Sequence, residues 1–191
     1  WDKKVVDEAV QYAISKGALL VHAAGNDAKN TEKEDNFPNR LFQDSTGRTM
    51  GTATAWIEVG ASSWKNDEDL VATFSNFGGK TVDVFAPGVK INSTMPASTY
   101  KENDGTSMAA PVVSGLAALI WSHYPQFTAV QIKEIIMNSV TKVDYKVKIK
   151  EDGDSKKVNL GDISVSGGVV NAYAALQLAE KMSKTNRARA K

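Results

Sequence analysis

An amphipathic helix followed directly by a short apolar run limits the possible folds of this chain more than any other feature. Between residues 6 and 14, apolar side chains recur at the three- and four-residue spacing of one helix face, and Gly17 supplies a stop. Residues 18–24 then form a nearly continuous apolar run that ends at Gly25 and Asn26. A strand without polar alternation is typical of a parallel sheet covered on both faces. The sequence therefore predicts an α/β fold with a mostly parallel sheet.

Further strands and a central helix follow along the chain. Residues 56–61 and 81–85 are rich in β-forming residues, and the second run leads into a turn predicted at residues 86–88. Residues 27–35 are polar and without periodicity, which indicates a surface loop. Residues 108–123 predict a long helix. Because this helix is apolar on most sides, we expect it in the centre of the fold.

The last third of the chain predicts two more helices and a hairpin. A capping box beginning at Thr128 starts a surface helix. Residues 147–160 predict a small β-hairpin, and residues 169–182 predict the final helix. Residues 183–191 are expected to form a polar, basic tail. We find no internal repeat and expect residues 1–182 to belong to one domain.

Composition excludes several classes of function. The chain has 191 residues, 42% hydrophobic and 24% charged, as in ordinary soluble domains. A formal net charge of +1 gives no field that would attract nucleic acid or an anionic membrane. The absence of cysteine excludes disulfides, thiolate metal sites and a cysteine nucleophile. No apolar run approaches the roughly 20 residues of a membrane span.

Residues 103–111 place Ser107 at the start of the predicted central helix. Glycine and small residues surround it, which leaves the hydroxyl group accessible. Unpaired backbone N–H groups and the positive end of the helix dipole favour negative charge at such a position. An acyl-transfer nucleophile and its tetrahedral adduct both need that stabilisation. The alternative is that Ser107 only caps the helix, as serines before helices commonly do.

The seven residues Gly-Thr-Ser-Met-Ala-Ala-Pro at 105–111 resemble the nucleophile signature of the subtilases, a family of serine peptidases. Further matches fall in the family's order at residues 23–26, 74–75, 86–88 and 168–172. The resemblance covers almost the whole chain apart from the hairpin near residues 147–160, which we interpret as an insertion. It implies a three-layer, subtilisin-like α/β fold of which this chain forms the C-terminal part.

The resemblance also implies roles for individual residues. Ser107 resembles the acylating nucleophile, and Asn26 resembles the side-chain donor that binds the oxyanion together with the Ser107 N–H. Ala23, Ala24 and Gly25 resemble one wall of the pocket for the substrate residue before the scissile bond. For Asn26 alone, the alternative is a loop-forming asparagine after glycine. The family further implies polypeptide substrates and a site of action outside the cytoplasm.

The base that Ser107 would need is not evident in the sequence. In this family the catalytic aspartate and histidine precede the serine. His22 falls in the predicted buried strand, where a core role is expected, and His123 closes the far end of the central helix. At about 1.5 Å per helical residue, His123 lies more than about 20 Å from Ser107. Residues 44–47, Asp-Ser-Thr-Gly, resemble an aspartate motif, but they follow Asn26 and have no apolar strand before them. We therefore interpret them as a turn.

We therefore expect the aspartate and histidine to lie upstream of Trp1, in an N-terminal half of the same protein. This chain alone would then be unable to hydrolyse peptides. It would also expose a sheet edge and one face of its central helix, so we expect it to bind that N-terminal half or to associate with itself.

Two other functions remain open at this level. Ser98 with Lys101, and Ser139 with Lys142, match the short Ser-x-x-Lys motif of Ser-Lys hydrolases, but the companion motifs are absent. A non-catalytic subtilase-like module, used for binding or as a scaffold, would keep the same fold. Neither the peptidase chemistry nor these alternatives require a cofactor. The loop at residues 27–36 is the candidate for a structural calcium ion, although its acidic residues lack the alternation of a calcium-binding loop.

Overall fold

A computed structural model describes the backbone of residues 3–189 and the side chains of residues 3–185. Its helices and strands, in chain order, are α1 (Lys3–Ser15), β1 (Leu20–Ala23), β2 (Leu41–Gln43), β3 (Thr49–Thr52), β4 (Trp56–Ser62), β5 (Val84–Pro87), β6 (Ile91–Met95), β7 (Thr99–Asn103), α2 (Thr106–His123), α3 (Ala129–Asn138), β8 (Thr141–Lys142), β9 (Val147–Glu151), β10 (Asp154–Val158), β11 (Gly168–Val169) and α4 (Ala172–Arg189). Within this described part, none of the helices has the length and apolar character that crossing a membrane requires.

The central sheet has five strands in the order β1-β4-β5-β11-β8. The first four run parallel, and β8 alone is antiparallel, at one edge. At the other edge, β1 pairs with β4 and with no further strand of the described chain. Every residue of β4 is buried, as expected for a strand covered on both faces. The predicted α/β fold with a mostly parallel sheet is thus confirmed.

Helices cover both faces of this sheet. Ile57, Val59 and Ala61 of β4 pack with residues of α2, α3 and α4 in the largest core cluster. Trp56 belongs to a different cluster, where it packs with Val10 of α1. Because successive side chains of a strand point to opposite faces, α1 and α2 lie on opposite sides of the sheet. The fold therefore has three layers, as predicted.

Three two-stranded ribbons lie outside the central sheet: β2 with β3, β6 with β7, and β9 with β10. The last is the hairpin predicted near residues 147–160, and it turns at Asp152 and Gly153, which both have positive φ. The first two ribbons were not predicted. Most of the residues in β3, β6 and β7 are exposed, so these strands carry no apolar alternation that would indicate a strand.

The strand predicted over residues 81–85 begins three residues later than expected, at Val84 of β5. Thr81 and Val82 donate their backbone N–H groups to the carbonyl oxygen of Gly78, at 3.2 Å and 3.0 Å, and so belong to a turn. The prediction rested on β propensity, which does not register such local hydrogen bonds. The turn predicted at residues 86–88 is correspondingly shorter, because its first two residues complete β5.

The last helix differs from the prediction, residues 169–182, at both ends. Its first predicted residues belong to β11 and to Asn171, whose side-chain oxygen accepts the backbone N–H of Ala174 at 2.9 Å and caps the helix. The backbone then stays helical as far as Arg189, so polar residues that we expected to fray extend the helix instead. Residues 190–191 of the predicted tail lie outside the described residues.

A buried ionic cluster lies near the N-terminal ends of β4 and β5. Asp83 is only 1% exposed and accepts hydrogen bonds from both terminal nitrogens of Arg40, at 3.0 Å and 2.7 Å. The same carboxylate accepts the backbone N–H of Glu58 at 2.8 Å and lies 3.6 Å from the amino group of Lys133. Burial lowers the pKa of Lys133, and the charge of Asp83 opposes that shift. The cluster joins the loop before β2 to the sheet and to α3.

We predict that Asp83→Asn lowers the free energy of unfolding by about 3–5 kcal/mol, because the substitution leaves the partly buried charges of Arg40 and Lys133 without their counter-charge. Chemical denaturation monitored by circular dichroism measures the loss. Asp69→Asn, at the exposed pair with Lys65, is the matched control and should leave the midpoint almost unchanged. A loss below about 1 kcal/mol for Asp83→Asn would show that the cluster does not hold these elements together.

Candidate active site

Ser107 lies in the first turn of α2 with its side chain exposed. The residue that precedes the helix is Gly105, whose φ of +153° favours glycine, and no side chain caps this helix end. Within the described residues, neither the hydroxyl group nor the backbone N–H of Ser107 has a hydrogen-bond partner. Ser107 therefore lies inside the helix and does not cap it. Both of its polar groups are free to contact a ligand.

Glycine packing holds the start of α2 against the end of the sheet. The N–H of Gly105 donates to the carbonyl oxygen of Gly88 at 2.8 Å. A β-carbon on Gly88 would lie 2.7 Å from the oxygen of Gly105 and 2.7 Å from the β-carbon of Ala61 in β4. Only glycine fits there. The contact places Ser107 beside the carboxyl ends of the parallel strands, where α/β proteins bind ligands.

Asn26 follows β1 at the same edge and is bound to the start of α2. Its Oδ1 accepts the backbone N–H of Thr106 at 2.9 Å and the Thr106 hydroxyl at 3.0 Å. The Thr106 hydroxyl oxygen in turn accepts the N–H of Gly25 at 3.1 Å. Because the N–H of Thr106 needs an acceptor, Oδ1 must face the helix and Nδ2 must face away from it. In the described structure Nδ2 has no partner, which leaves it available as a donor.

The structure thus places Asn26 in contact with Thr106, the residue next to Ser107. That Asn26 and Ser107 act together stays a prediction. Two donors without a partner in the described structure, the N–H of Ser107 and Nδ2 of Asn26, thus belong to the two residues that flank this contact with Thr106. The positive end of the α2 dipole adds to the field at this point. Such an arrangement is suited to stabilising an oxyanion formed when a hydroxyl attacks a carbonyl carbon.

The predicted substrate wall is only partly on the surface. Ala23 and Gly25 are half-buried, whereas Ala24 is fully buried in a core cluster. The Ala24 carbonyl oxygen accepts hydrogen bonds from the side chains of Asn36, at 3.0 Å, and Asn76, at 2.8 Å. Ala24 therefore supports the wall from behind rather than lining it. That this wall contacts substrate stays a prediction.

Sequence reasoning missed two residues that organise the site, Thr106 and Asn76. Thr106 lies in the segment that carries the Ser107 motif, so its position next to the serine was the available signal. Asn76 gave a weaker signal, because it directly follows the pair at residues 74–75 that matched the subtilase pattern. Asn76 is 1% exposed and contacts the loop that carries Asn26. Both features arise only from the tertiary fold.

Neither histidine can act on Ser107 in this structure. His22 lies beside Glu58, with its Nδ1 2.8 Å from Oε1, and its ring is 5.0 Å from that of Trp56. Trp56 donates to the other oxygen of Glu58 at 2.8 Å, so His22 is a half-buried histidine with a partner in the protein. His123 ends α2, where its Nδ1 lies 3.1 Å from the Leu119 carbonyl oxygen.

The other motifs noted in the sequence lie in turns or at a helix end. Asp44 stabilises the turn between β2 and β3, and hydrogen bonds, first from the Thr46 hydroxyl, lower the pKa of its carboxyl group. Ser98 lies in the exposed turn between β6 and β7. Ser139 is buried and donates its hydroxyl to the Ile135 carbonyl at 2.7 Å. Neither serine is hydrogen-bonded to the lysine of its motif in the described structure.

Acidic residues of the loop after Asn26 already have partners in the protein. Glu32 accepts the backbone N–H of Lys80 at 3.0 Å, and Glu34 lies 3.1 Å from the amino group of Lys29. Among the described residues, no group of three or more histidine, aspartate or glutamate side chains is arranged to hold a metal ion. A structural calcium ion at this loop stays a prediction.

The β9–β10 hairpin contacts this loop through an ion pair between Lys33 and Glu151. Lys33 donates to Oε1 of Glu151 at 2.7 Å, and Lys156 donates to Oε2 at 2.8 Å. Hydrogen bonds from Lys156 and then Lys33 lower the pKa of Glu151 from 4.5 to about 2. The hairpin thus adds charged contacts to the segment that begins at Asn26.

Comparison with known proteins agrees with this geometry. The family model described as the Subtilase family matches residues 1–161. The M-protease of Shouchella clausii strain KSM-K16 and subtilisin BL of Lederbergia lenta are each 34% identical to this chain over 171 residues, or 89% of its length. Those alignments cover 36% and 50% of the two relatives, so the chain spans about a third to a half of their length.

A solved structure shows the same fold. One chain of the structure that explains subtilase cytotoxin SubAB assembly matches with a TM-score of 0.70 and 23% sequence identity. The match covers 95% of this chain and 55% of that one. At this identity the likeness establishes the fold alone, and it confirms the expectation of a partial subtilisin-like fold.

We predict that Glu151 stabilises the fold above pH 4.5 and loses this contribution as the pH falls to about 2, because its folded-state pKa is depressed to about 2. Denaturation of the wild type and of Glu151→Gln should differ by about 1 kcal/mol near neutral pH, the size expected for a surface network. The difference should shrink progressively on acidification. A difference that stayed constant down to pH 2 would contradict the assignment.

Proposed function

The chain belongs to the subtilase family, and from this premise we propose that it supplies the nucleophile and the oxyanion site of a serine endopeptidase acting on polypeptides. The observation that carries the proposal is the Thr106 bridge. It turns Oδ1 of Asn26 toward the helix and leaves Nδ2 free, beside an exposed Ser107 whose hydroxyl and N–H have no partner in the described chain.

The proposed reaction begins with attack of the Ser107 hydroxyl oxygen on the carbonyl carbon of the scissile peptide bond. The hydroxyl proton passes to a histidine base, which an aspartate orients. The oxyanion of the tetrahedral adduct accepts hydrogen bonds from the N–H of Ser107 and from Nδ2 of Asn26. The histidine then protonates the departing amine, and water hydrolyses the acyl-enzyme by the same steps. Protein groups and water suffice, so the reaction requires no cofactor, and a calcium ion would serve structure only.

The histidine and aspartate of this mechanism are proposed to come from another segment of the same protein, on the N-terminal side of this chain. Two observations support this. His22 and His123 are both engaged away from Ser107. In addition, this chain corresponds to no more than half the length of the relatives reported above. On this basis, we propose that the chain alone does not hydrolyse peptides. The family resemblance also supports a site of action outside the cytoplasm.

The free edge of β1 and the exposed face of α2 form a surface on which that segment can dock. Pro111, Ser114, Gly115 and Ala118 are exposed on one side of an otherwise apolar helix. Between this side of α2 and β1 lies a cavity of about 160 Å³, lined mainly by apolar residues, including Val21. Small side chains on a helix allow another element to approach closely, and an unpaired strand edge can accept a further strand.

We predict that Ser107→Ala abolishes peptide hydrolysis by the full-length protein that contains this chain. Asn26→Ala should lower kcat by about 10²–10³-fold with little change in KM, a magnitude known for this donor in subtilisins. Steady-state kinetics on a fluorogenic peptide measure both effects. Ser98→Ala, an exposed serine in a Ser-x-x-Lys motif, is the control and should keep wild-type kinetics. Hydrolysis that survived Ser107→Ala would contradict the proposal, and a folded full-length protein without any hydrolysis would favour a non-catalytic binding module.

We predict that the chain alone self-associates through the α2 face and that Gly115→Glu weakens this association by about 10-fold or more, because a charge would be buried without a partner. A β-carbon at Gly115 meets no atom within 4 Å, and glutamate favours helix over glycine, so the variant should fold normally. Sedimentation equilibrium measures the association.

Gln177→Glu places the same charge on the exposed side of α4 and serves as the control, with association expected to equal that of the wild type. A wild-type chain that sedimented as a stable, well-dispersed monomer would contradict the assignment of this face.

A further inference from the structure

The side chain of Asn76 forms hydrogen bonds to the loop that carries Asn26. The bonded residues lie both before and after Asn26 in the chain. Nδ2 of Asn76 donates to the carbonyl oxygen of Ala24 at 2.8 Å. Its Oδ1 accepts the backbone N–H of Asp27 at 3.0 Å and that of Lys29 at 2.9 Å. Asn76 is 1% exposed, so water does not compete for these bonds. One carboxamide thus fixes the backbone before and after Asn26.

Asn76 is itself anchored to the sheet. Its backbone N–H donates to the Gly25 carbonyl at 2.9 Å. Its own carbonyl accepts the hydroxyl of Ser75, whose oxygen accepts the N–H of Ala61 in β4, both at 2.9 Å. A β-carbon on Gly25 would lie only 2.4 Å from Nδ2 of Asn76, so the loop and the carboxamide are in tight contact. The loop can therefore move little relative to β4.

We propose that Asn76 is a positioning residue that holds Nδ2 of Asn26 in the orientation required to bind the oxyanion. In the described structure, none of the hydrogen bonds of Asn76 goes to Ser107. Asn76 holds the backbone around Asn26 through its hydrogen bonds to neighbouring residues. Thr106, at the start of α2, holds the side chain of Asn26. The inference rests on the proposed peptidase function and deepens it.

The chemistry of the three bonds requires a carboxamide at this position. The Ala24 carbonyl needs a donor, whereas the N–H groups of Asp27 and Lys29 need an acceptor with two lone pairs. Asparagine offers both within one short side chain. Aspartate offers acceptors only and would face the Ala24 carbonyl with negative charge, and alanine offers neither. A residue that served only to fill space would not need this combination.

Kinetics of the full-length protein test the proposal. Asn76→Ala should lower kcat by about 10–100-fold, since small displacements of catalytic donors have effects of this size, and should leave KM within about threefold of the wild type. The kcat of Asn76→Asp should lie between the kcat values of Asn76→Ala and the wild type. In the Asn26→Ala background, Asn76→Ala should change kcat by less than about twofold, because the donor that it positions is already gone. A multiplicative loss in the double variant would overturn the proposal.

Thr31→Val is the matched control on the same loop. Thr31 bonds to the Phe77 carbonyl and to Thr81 on the far side of the loop from Asn26, so its loss should leave kcat near the wild-type value. A loss equal to that of Asn76→Ala would mean that any loosening of the loop suffices, which would overturn a specific role for Asn76.

Amide hydrogen exchange gives a readout that does not depend on peptidase activity. In the described structure, no hydrogen bond joins Asn76 to Thr106, whose N–H is bonded to Oδ1 of Asn26. If Asn76 positions Asn26, Asn76→Ala should accelerate exchange of the Thr106 N–H about 10-fold or more, and Thr31→Val should not. Unchanged exchange at Thr106 would overturn the inference, whether or not the full-length protein proves to be a peptidase. Failure of a fluorophosphonate to label Ser107 would instead count against the proposed function.

Discussion

Two hydrogen bonds from Thr106 to Oδ1 of Asn26 join the start of the central helix to the end of the first strand. The rest of the site depends on this junction. It brings the N–H of Ser107 and Nδ2 of Asn26 to the same edge of the sheet, and it decides which end of the Asn26 amide faces outward. The glycine contact between Gly88 and Gly105 makes the close approach possible. The buried cluster around Asp83 holds the opposite end of the sheet to α3.

Much of the fold follows from local patterns in the sequence. The apolar run before Asn26 and the apolar helix after Ser107 required a covered parallel sheet with a helix packed on it. The capping box at Thr128 forms as the pattern indicated. The ribbons β2–β3 and β6–β7 could not be predicted in this way. Most of their residues face water, so no apolar periodicity marks them as strands.

The residues of the candidate site that lie in sequence motifs could be predicted. The residues that only the tertiary fold brings to the site could not. Ser107 and Asn26 lie in segments with a recognisable pattern. Asn76 lies 50 residues after Asn26, and its one local signal is that it follows the matched pair at residues 74–75. His22 shows the reverse case: it stood out as unusual in an apolar strand, and its pairing with Glu58, which also bonds to Trp56, accounts for it. Long-range pairing of this kind cannot be derived from spacing along one chain.

We propose that Ser107 becomes a nucleophile only when a base from another segment completes the site. The most direct test is to treat both the full-length protein and this chain alone with a fluorophosphonate and to map the covalent adduct by peptide mass spectrometry. We expect a single adduct on Ser107 in the full-length protein and none in the isolated chain. An adduct on another serine, or an equally labelled isolated chain, would contradict it.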